Sequence, residues 1–237
     1  PTWNGEFYLE YHRGTFTSQA RTKRNNRKSE FLLHDAEFLA SWAALISDYI
    51  YPKSDLDQAW ELVCLNQFHD ILPGSSIGPV YVDSNKDYEL VRELGENARE
   101  AAISALGSNV PAEATAIALN PTSFGGARIG LLEETTGTGM RDLRTGNALV
   151  TQSVENGTLV EIGNIAPYSY VAIGSADESE STADESSAKV AQKGSGYVLE
   201  NAVIRVELDG NGVITRIFDK AADREVLEAG KTGNNLQ

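Results

Sequence analysis

Hydrophobic positions change their period twice along the chain. Over residues 1–24, Phe7, Leu9 and Tyr11 alternate with polar neighbours, which reads as an extended or looped lead-in. From about 26 to 50 the spacing becomes helical. Leu32, Leu39 and Ile46 form one line, and Phe31, Phe38, Trp42, Leu45 and Tyr49 a second. Pro52 lacks an N–H donor and cannot continue a helix, so it ends this element.

A second helix is expected to start with Ser54 as N-cap and Asp57 completing a weak capping box. Its body carries Leu56, Ala59, Trp60, Leu62, Val63, Leu65 and Phe68, apolar on nearly every side, which predicts a buried helix. Pro73-Gly74 stops it and leaves His69 and Asp70 at its C-terminal end. A third helix is predicted from Asp83 or Ser84 to about Leu106, with Tyr88, Val91, Leu94, Ala98, Ala101, Ala102 and Ala105 on one face. Three helices with short connections predict a bundle.

After Gly107 the pattern becomes that of short strands between turn residues, at 116–120, 127–132, 149–154, 159–162 and 168–173. Asn156-Gly157 is a hairpin signal. Residues 175–196, rich in Ser, Ala, Asp, Glu and Gly, read as an acidic flexible linker. Strands resume at 197–199 and 203–208, then turn through Asp209-Gly210-Asn211-Gly212 into 213–218. The predicted fold class is therefore α+β and multidomain, a three-helix bundle followed by a partial antiparallel β-sandwich. The expected divisions are a lead-in at 1–25, a bundle at 26–108, a β domain at 109–174, the linker at 175–196, and at 197–237 the start of the C-terminal β-sandwich, expected to be truncated.

Composition narrows the classes. No stretch approaches the roughly 18 apolar residues of a spanning helix, so no membrane partner is expected. The formal net charge of −14 argues against nucleic acid, whose phosphates it would repel. Cys64, the only cysteine, excludes an internal disulfide, and its apolar helical setting predicts a buried thiol. A reducing, cytoplasmic compartment fits this usage. The chain starts at Pro1 without an initiator Met or signal sequence, and is expected to be part of something longer.

Three histidines bear on chemistry. His34 sits beside Asp35 off the apolar lines and reads as a surface or packing residue. His12 lies in the polar, aromatic stretch Tyr11-His12-Arg13-Gly14-Thr15-Phe16-Thr17-Ser18-Gln19, of the kind that carries function more often than core segments do. His69-Asp70 combines a common zinc ligand with a carboxylate at a helix C-terminus, whose partial negative charge favours a cation. Residues alone leave the plainer alternative open, a C-capping His and a solvated Asp. One His and one Asp do not make up the roughly three or four ligands zinc takes. The carboxylates are scattered, and no pair stands out as acid and nucleophile.

Three stretches together resemble glycoside hydrolase family 38 α-mannosidases of the bacterial, cytosolic and vacuolar branch. They are the segment from Gly5 to Gln19, then Asn66-Gln67-Phe68-His69-Asp70-Ile71-Leu72-Pro73-Gly74-Ser75-Ser76, and the segment from Gly212 to Leu227 with Phe218-Asp219-Lys220. The resemblance implies that His69 supplies one ligand to Zn2+ and that Asp70 hydrogen-bonds hydroxyls of a terminal mannose. It also implies that the loop carrying His12 and Arg13 lines the sugar site. A departure from the family pattern is the His at position 12, where other branches place an aromatic residue.

The implied parent is a zinc-dependent retaining α-mannosidase acting on mannose-containing oligosaccharides or glycans. The nucleophile, the acid and the other zinc ligands are expected in an N-terminal catalytic domain of the same polypeptide, upstream of Pro1. This chain alone is then expected to be inactive and to lose its zinc; a homo-oligomer would be compatible. Two alternatives compete. A carbohydrate-binding module would use aromatic platforms, yet Trp3, Trp42 and Trp60 all lie outside the β half. A structural interaction unit would leave the His69-Asp70 stretch without a purpose.

Overall fold

The computed structural model describes residues 1–2, 4–5, 13–133, 139–176 and 188–234. By its contacts the chain divides into two units, Pro1–Gly125 with Ile165–Ala172, and Gly126–Asn164 with Ile173–Gln237. Among its described residues the first holds three helices, α1 (Ala20–Ile46), α2 (Lys53–Asn66) and α3 (Gly78–Gly107). Eleven strands follow among the described residues. They form a six-stranded sheet in the order β1-β6-β3-β4-β5-β2 and a five-stranded one in the order β11-β10-β9-β8-β7. Helices and then antiparallel sheets are the predicted α+β class.

The helices bury narrower and smaller faces than the large apolar residues predict. On α1 the buried stripe is Leu33, Ala36, Ala40 and Ala43, continued toward the N-terminus by Thr22, Asn26 and Ser29. Ile46 and Phe31, expected in the core, are 47% and 59% exposed. The reason is close approach: alanines and Gly95 let helices pack at short range. A Cβ on Gly95 would lie 2.9 Å from Leu32 Cγ and 3.1 Å from Leu33 Cδ2. One core cluster joins Leu33, Leu56, Val63, Tyr88 and Val91 with three alanines; a second joins Leu39, Ala40, Ala43, Ala102 and Leu106. Fully burying each Leu or Val contributes about 1.5–3 kcal/mol.

Several helix boundaries differ from expectation. α1 begins at Ala20, after Gln19 in the left-handed region at φ 52, and ends at Ile46, where Ser47 Oγ donates to Ala43 O at 2.7 Å. α2 starts right after Pro52, so Ser54 is inside it and not its cap. α3 starts at Gly78 with Pro79 in its first turn, where a missing N–H is harmless. α2 ends at Asn66, earlier than expected, and only Leu56, Ala59, Val63 and Asn66 on it are buried. Leu65 and Cys64 are exposed, which corrects the expected buried thiol.

In the same unit, β1 (Ala114–Asn120) ends in an asparagine that organises the next turn. Buried Asn120 Nδ2 donates to Phe124 O, Ile165 O and Ala166 O, and Oδ1 accepts from Thr122. Tyr168, at φ 49, stacks on Phe38 with ring centroids 5.1 Å apart.

The second unit contains β2 (Gly126–Glu133), β3 (Gly139–Asp142), β4 (Ala148–Val154) and β5 (Gly157–Ile165). The β4–β5 register pairs Val154 with Gly157, so the tight turn is Glu155-Asn156 and Gly157 already belongs to the strand. Gly157 is obligatory there, because a Cβ would meet Leu132 O at 2.1 Å. Strand β6 (Ser169–Ala176) is shared between the units. Ser175 and Ala176, read as linker, are thus strand, as is β7 (Lys189–Lys193). Residues 177–187 of that stretch lie outside the described residues.

β7 pairs with β8 (Gly196–Glu200), which pairs with β9 (Ile204–Leu208), followed by β10 (Ile214–Asp219) and the short β11 (Arg224–Glu225). Asp209 Oδ1 caps the β9–β10 turn by accepting the Asn211 and Val213 amides. A ladder of ion pairs crosses this sheet. Glu207, whose side chain is 16% exposed, meets Lys193 at 2.8 Å, Arg205 at 3.2 Å and Arg216 at 3.4 Å. The Lys193 hydrogen bond, with the charges of Lys193 and Arg205, holds the Glu207 carboxyl below its ordinary value.

Two outcomes follow. Gly95→Ala should destabilise the bundle by about 1–3 kcal/mol through overpacking despite alanine's better helix propensity, and a raised urea midpoint would contradict the packing account. The Glu207 carboxyl is depressed in the folded state. Its contribution is therefore complete above the unfolded carboxyl value of 4.5 and lost as pH falls through the lower folded one. Glu207→Gln should thus lower the melting temperature at neutral pH and flatten its fall on acidification.

Candidate functional site

The His69-Asp70 pair lies in a chain of turns beyond the end of α2. The Gln67 amide still donates to Val63 O at 3.0 Å, and Phe68 to Leu65 O at 3.1 Å. Ile71 and Leu72 then both turn back to Phe68 O, and Gly74 to Ile71 O. Side chains from the flanking helices hold this segment. Gln67 Nε2 donates to Asn26 Oδ1 and Glu30 Oε1 of α1, both at 2.9 Å. Lys23 Nζ donates to Leu72 O at 2.8 Å and to Ser18 O. Tyr81 Oη, on α3, accepts the Ser76 amide at 3.0 Å and lies 3.3 Å from both Asp70 O and Ile71 O.

The two segments that the sequence singles out meet here. Gly74, at φ +92, packs so closely on the 14–18 turn that a Cβ would stand 2.7 Å from Ser18 Cβ. Lys23 bridges the same two backbones, and burial lowers its ammonium pKa. Arg13, exposed, leads into the 14–18 turn. His12, the other residue expected near a sugar, lies outside the described residues.

The presented groups are open to solvent. His69 and Asp70 side chains are 78% and 55% exposed, with Nε2 and Oδ2 3.5 Å apart. The His69 ring leans on Phe68, centroids 4.1 Å apart. Ser75 Oγ reaches Asp70 Oδ1 at 3.3 Å, and Ser76 Oγ donates to Asp70 O at 2.6 Å. An imidazole nitrogen and a carboxylate facing solvent can bind a cation or accept hydrogen bonds from hydroxyls. They are two donors where zinc takes roughly three or four. Among the described residues no group of three or more His, Cys, Asp or Glu could hold a metal. This stretch therefore does not close a zinc site by itself.

Beneath the turn lies a polar knot. Tyr88 Oη reaches Asn26 Oδ1 at 3.4 Å, and Asn66 Nδ2 donates to Asp87 Oδ2 at 3.0 Å. Burial, then the charges of Glu30 and Asp87, push the Tyr88 phenol pKa far up. Lys23, Tyr81 and Gln67 were not legible as positioning residues, since each is an ordinary polar member of a helical run. His34 sits on the exposed face with Asp35 at 3.1 Å, as the sequence implies.

The bundle carries an exposed His-Asp turn, and antiparallel strands follow it in the chain. Residues 10–106 match the alpha mannosidase middle domain. Human Alpha-mannosidase 2C1 is 32% identical over 237 residues, 99% of this chain and 21% of that protein. The Alpha-mannosidase of Saccharomyces cerevisiae is 52% identical over 83 residues, 34% of this chain and 8% of that one. A glycosyl hydrolase family 38 protein from Enterococcus faecalis shares the fold with a TM-score of 0.67 at 19% identity, over 90% of this chain and 31% of that one. The chain thus carries an α-mannosidase middle domain, and spans about a fifth of the length of the human relative.

Tyr81→Phe removes the acceptor of the Ser76 amide and should cost about 1–2 kcal/mol of stability. Hydrogen exchange should show the Ser76 amide losing protection while the α1 core keeps its own. Unchanged Ser76 protection would show that the phenol does not hold the turn.

Proposed function

We propose that this chain is part of a zinc-dependent retaining α-mannosidase, which removes terminal non-reducing α-D-mannose from oligosaccharides or glycans. The observation that carries the reading is the His69-Asp70 turn, held rigidly from behind and bare in front, within the matched middle domain. His69 is one zinc ligand, and Asp70 accepts hydrogen bonds from mannose hydroxyls. His12 and Arg13 line the same sugar site from the adjoining turn. The remaining ligands, the nucleophile and the acid belong to parts of the parent that this chain does not span.

Zinc, when bound, would supply Lewis-acid contact to the sugar's hydroxyls. The chain's own residues orient that contact. Phe68 restrains the His69 ring, and Ser75 engages one Asp70 oxygen while leaving the other toward His69. The lone cysteine is consistent with a cytoplasmic parent.

The test is kinetic. In the full parent, Asp70→Asn should keep the protein folded and cut kcat/KM on an aryl α-mannoside by roughly a hundredfold or more, as loss of a charged hydrogen bond to substrate does. His69→Ala should abolish turnover, and the isolated chain should show none. Full activity in Asp70→Asn, or hydrolysis by this chain alone that His69→Ala removes, would refute the assignment.

A further inference from the structure

Between α1 and α3 lies a groove of about 310 Å³. Five cationic side chains line it: Arg21, Arg24, Lys28, Arg92 and Arg99. Only two carboxylates oppose them, Glu89 and Glu96, an excess of three positive charges in a chain whose formal net charge is −14. Arg21 is partly neutralised by Glu89 at 3.7 Å. Among the described residues no ion pair holds Arg24, Lys28, Arg92 or Arg99, although Arg92 and Arg99 stand one turn either side of Glu96.

Unpaired like charges converging on one concavity repel one another, and an acidic chain has carboxylates enough to neutralise them. Their being left unpaired indicates that another anion takes that role. We propose that this groove is a binding site for a small molecule bearing phosphoryl groups, of the size of a pyrophosphate or a hexose phosphate. The volume is at the low end of the roughly 300–1,000 Å³ typical of small-molecule sites, too little for a folded partner. Guanidinium groups match phosphoryl oxygens as forked donors. Asn25 and Ser29 add polar groups along α1, while Leu32 and Tyr88 give the floor an apolar surface for a sugar ring. Tyr88 Oη is turned inward to Asn26, so its ring and not its hydroxyl serves the groove. The inference does not depend on the mannosidase reading.

The test is titration calorimetry of this chain with inorganic pyrophosphate, mannose 1-phosphate and mannose, at low and physiological ionic strength. Saturable binding of a phosphoryl ligand is expected, weaker at the higher salt, with none for mannose. Tighter binding of the sugar phosphate would identify the esterified source, and tighter binding of pyrophosphate the free one. Arg24→Gln and Arg92→Gln, both at exposed positions, should each weaken binding by roughly tenfold. Lys53→Gln, on α2 and paired with Asp57, should leave it unchanged. Without ligand, the double variant Arg24→Gln/Arg92→Gln should melt higher than the parent, because repulsion is relieved. Absence of saturable binding at low salt, equal affinity in the folded variants, or binding of polyglutamate in place of both phosphoryl ligands would overturn the proposal.

Discussion

The backbone beyond the end of α2 has no regular helix or sheet to satisfy it, and the candidate site depends on how that deficit is met. Lys23 and Gln67 reach across to neighbouring backbone and side chains, and Tyr81 accepts from Ser76 beneath Asp70. An unsatisfied buried amide or carbonyl costs about 1–3 kcal/mol, so these contacts decide whether His69 and Asp70 occupy one geometry or several. The clamps lie behind the turn, and its front is bare. That division between a satisfied rear and an open face is what a preorganised binding group needs.

The bundle makes the clamps possible. Ala36, Ala40, Ala43 and Gly95 let the helices approach closely enough for side chains as short as Asn26 and Gln67 to bond directly. Polar residues Thr22, Asn26 and Ser29 extend the buried stripe of α1 toward the site. Core packing thus grades into a polar network under the turn, so that the same helices provide stability at one end and positioning at the other.

Much of the helical part was legible from its period: each predicted helix exists, although the first ends at Ile46, well before Pro52, which instead directly precedes α2. The buried faces were not. Ile46, Phe31 and Leu65 attract notice by size, yet the helices meet through alanines and a glycine, which carry a weak hydrophobic signal. Helix starts also misled, since Gln19, Pro52 and Ile77 precede the helices without a side-chain cap bond. In the β half, β3 and β7 escaped notice because neither shows a clean alternation; β7 is exposed throughout. The His69-Asp70 pair could be read from residue type and family resemblance, whereas Lys23 and Tyr81 depend on tertiary contacts that no spacing encodes.

We propose that the turn after α2 delivers one metal ligand and one sugar-binding carboxylate to a centre completed elsewhere in the parent. Anomalous diffraction at the zinc edge from crystals of the full parent tests this most directly. A zinc peak is expected about 2.0–2.1 Å from a ring nitrogen of His69, lost in His69→Ala crystals that retain the bundle. A zinc peak at full occupancy with His69 unliganded would contradict it.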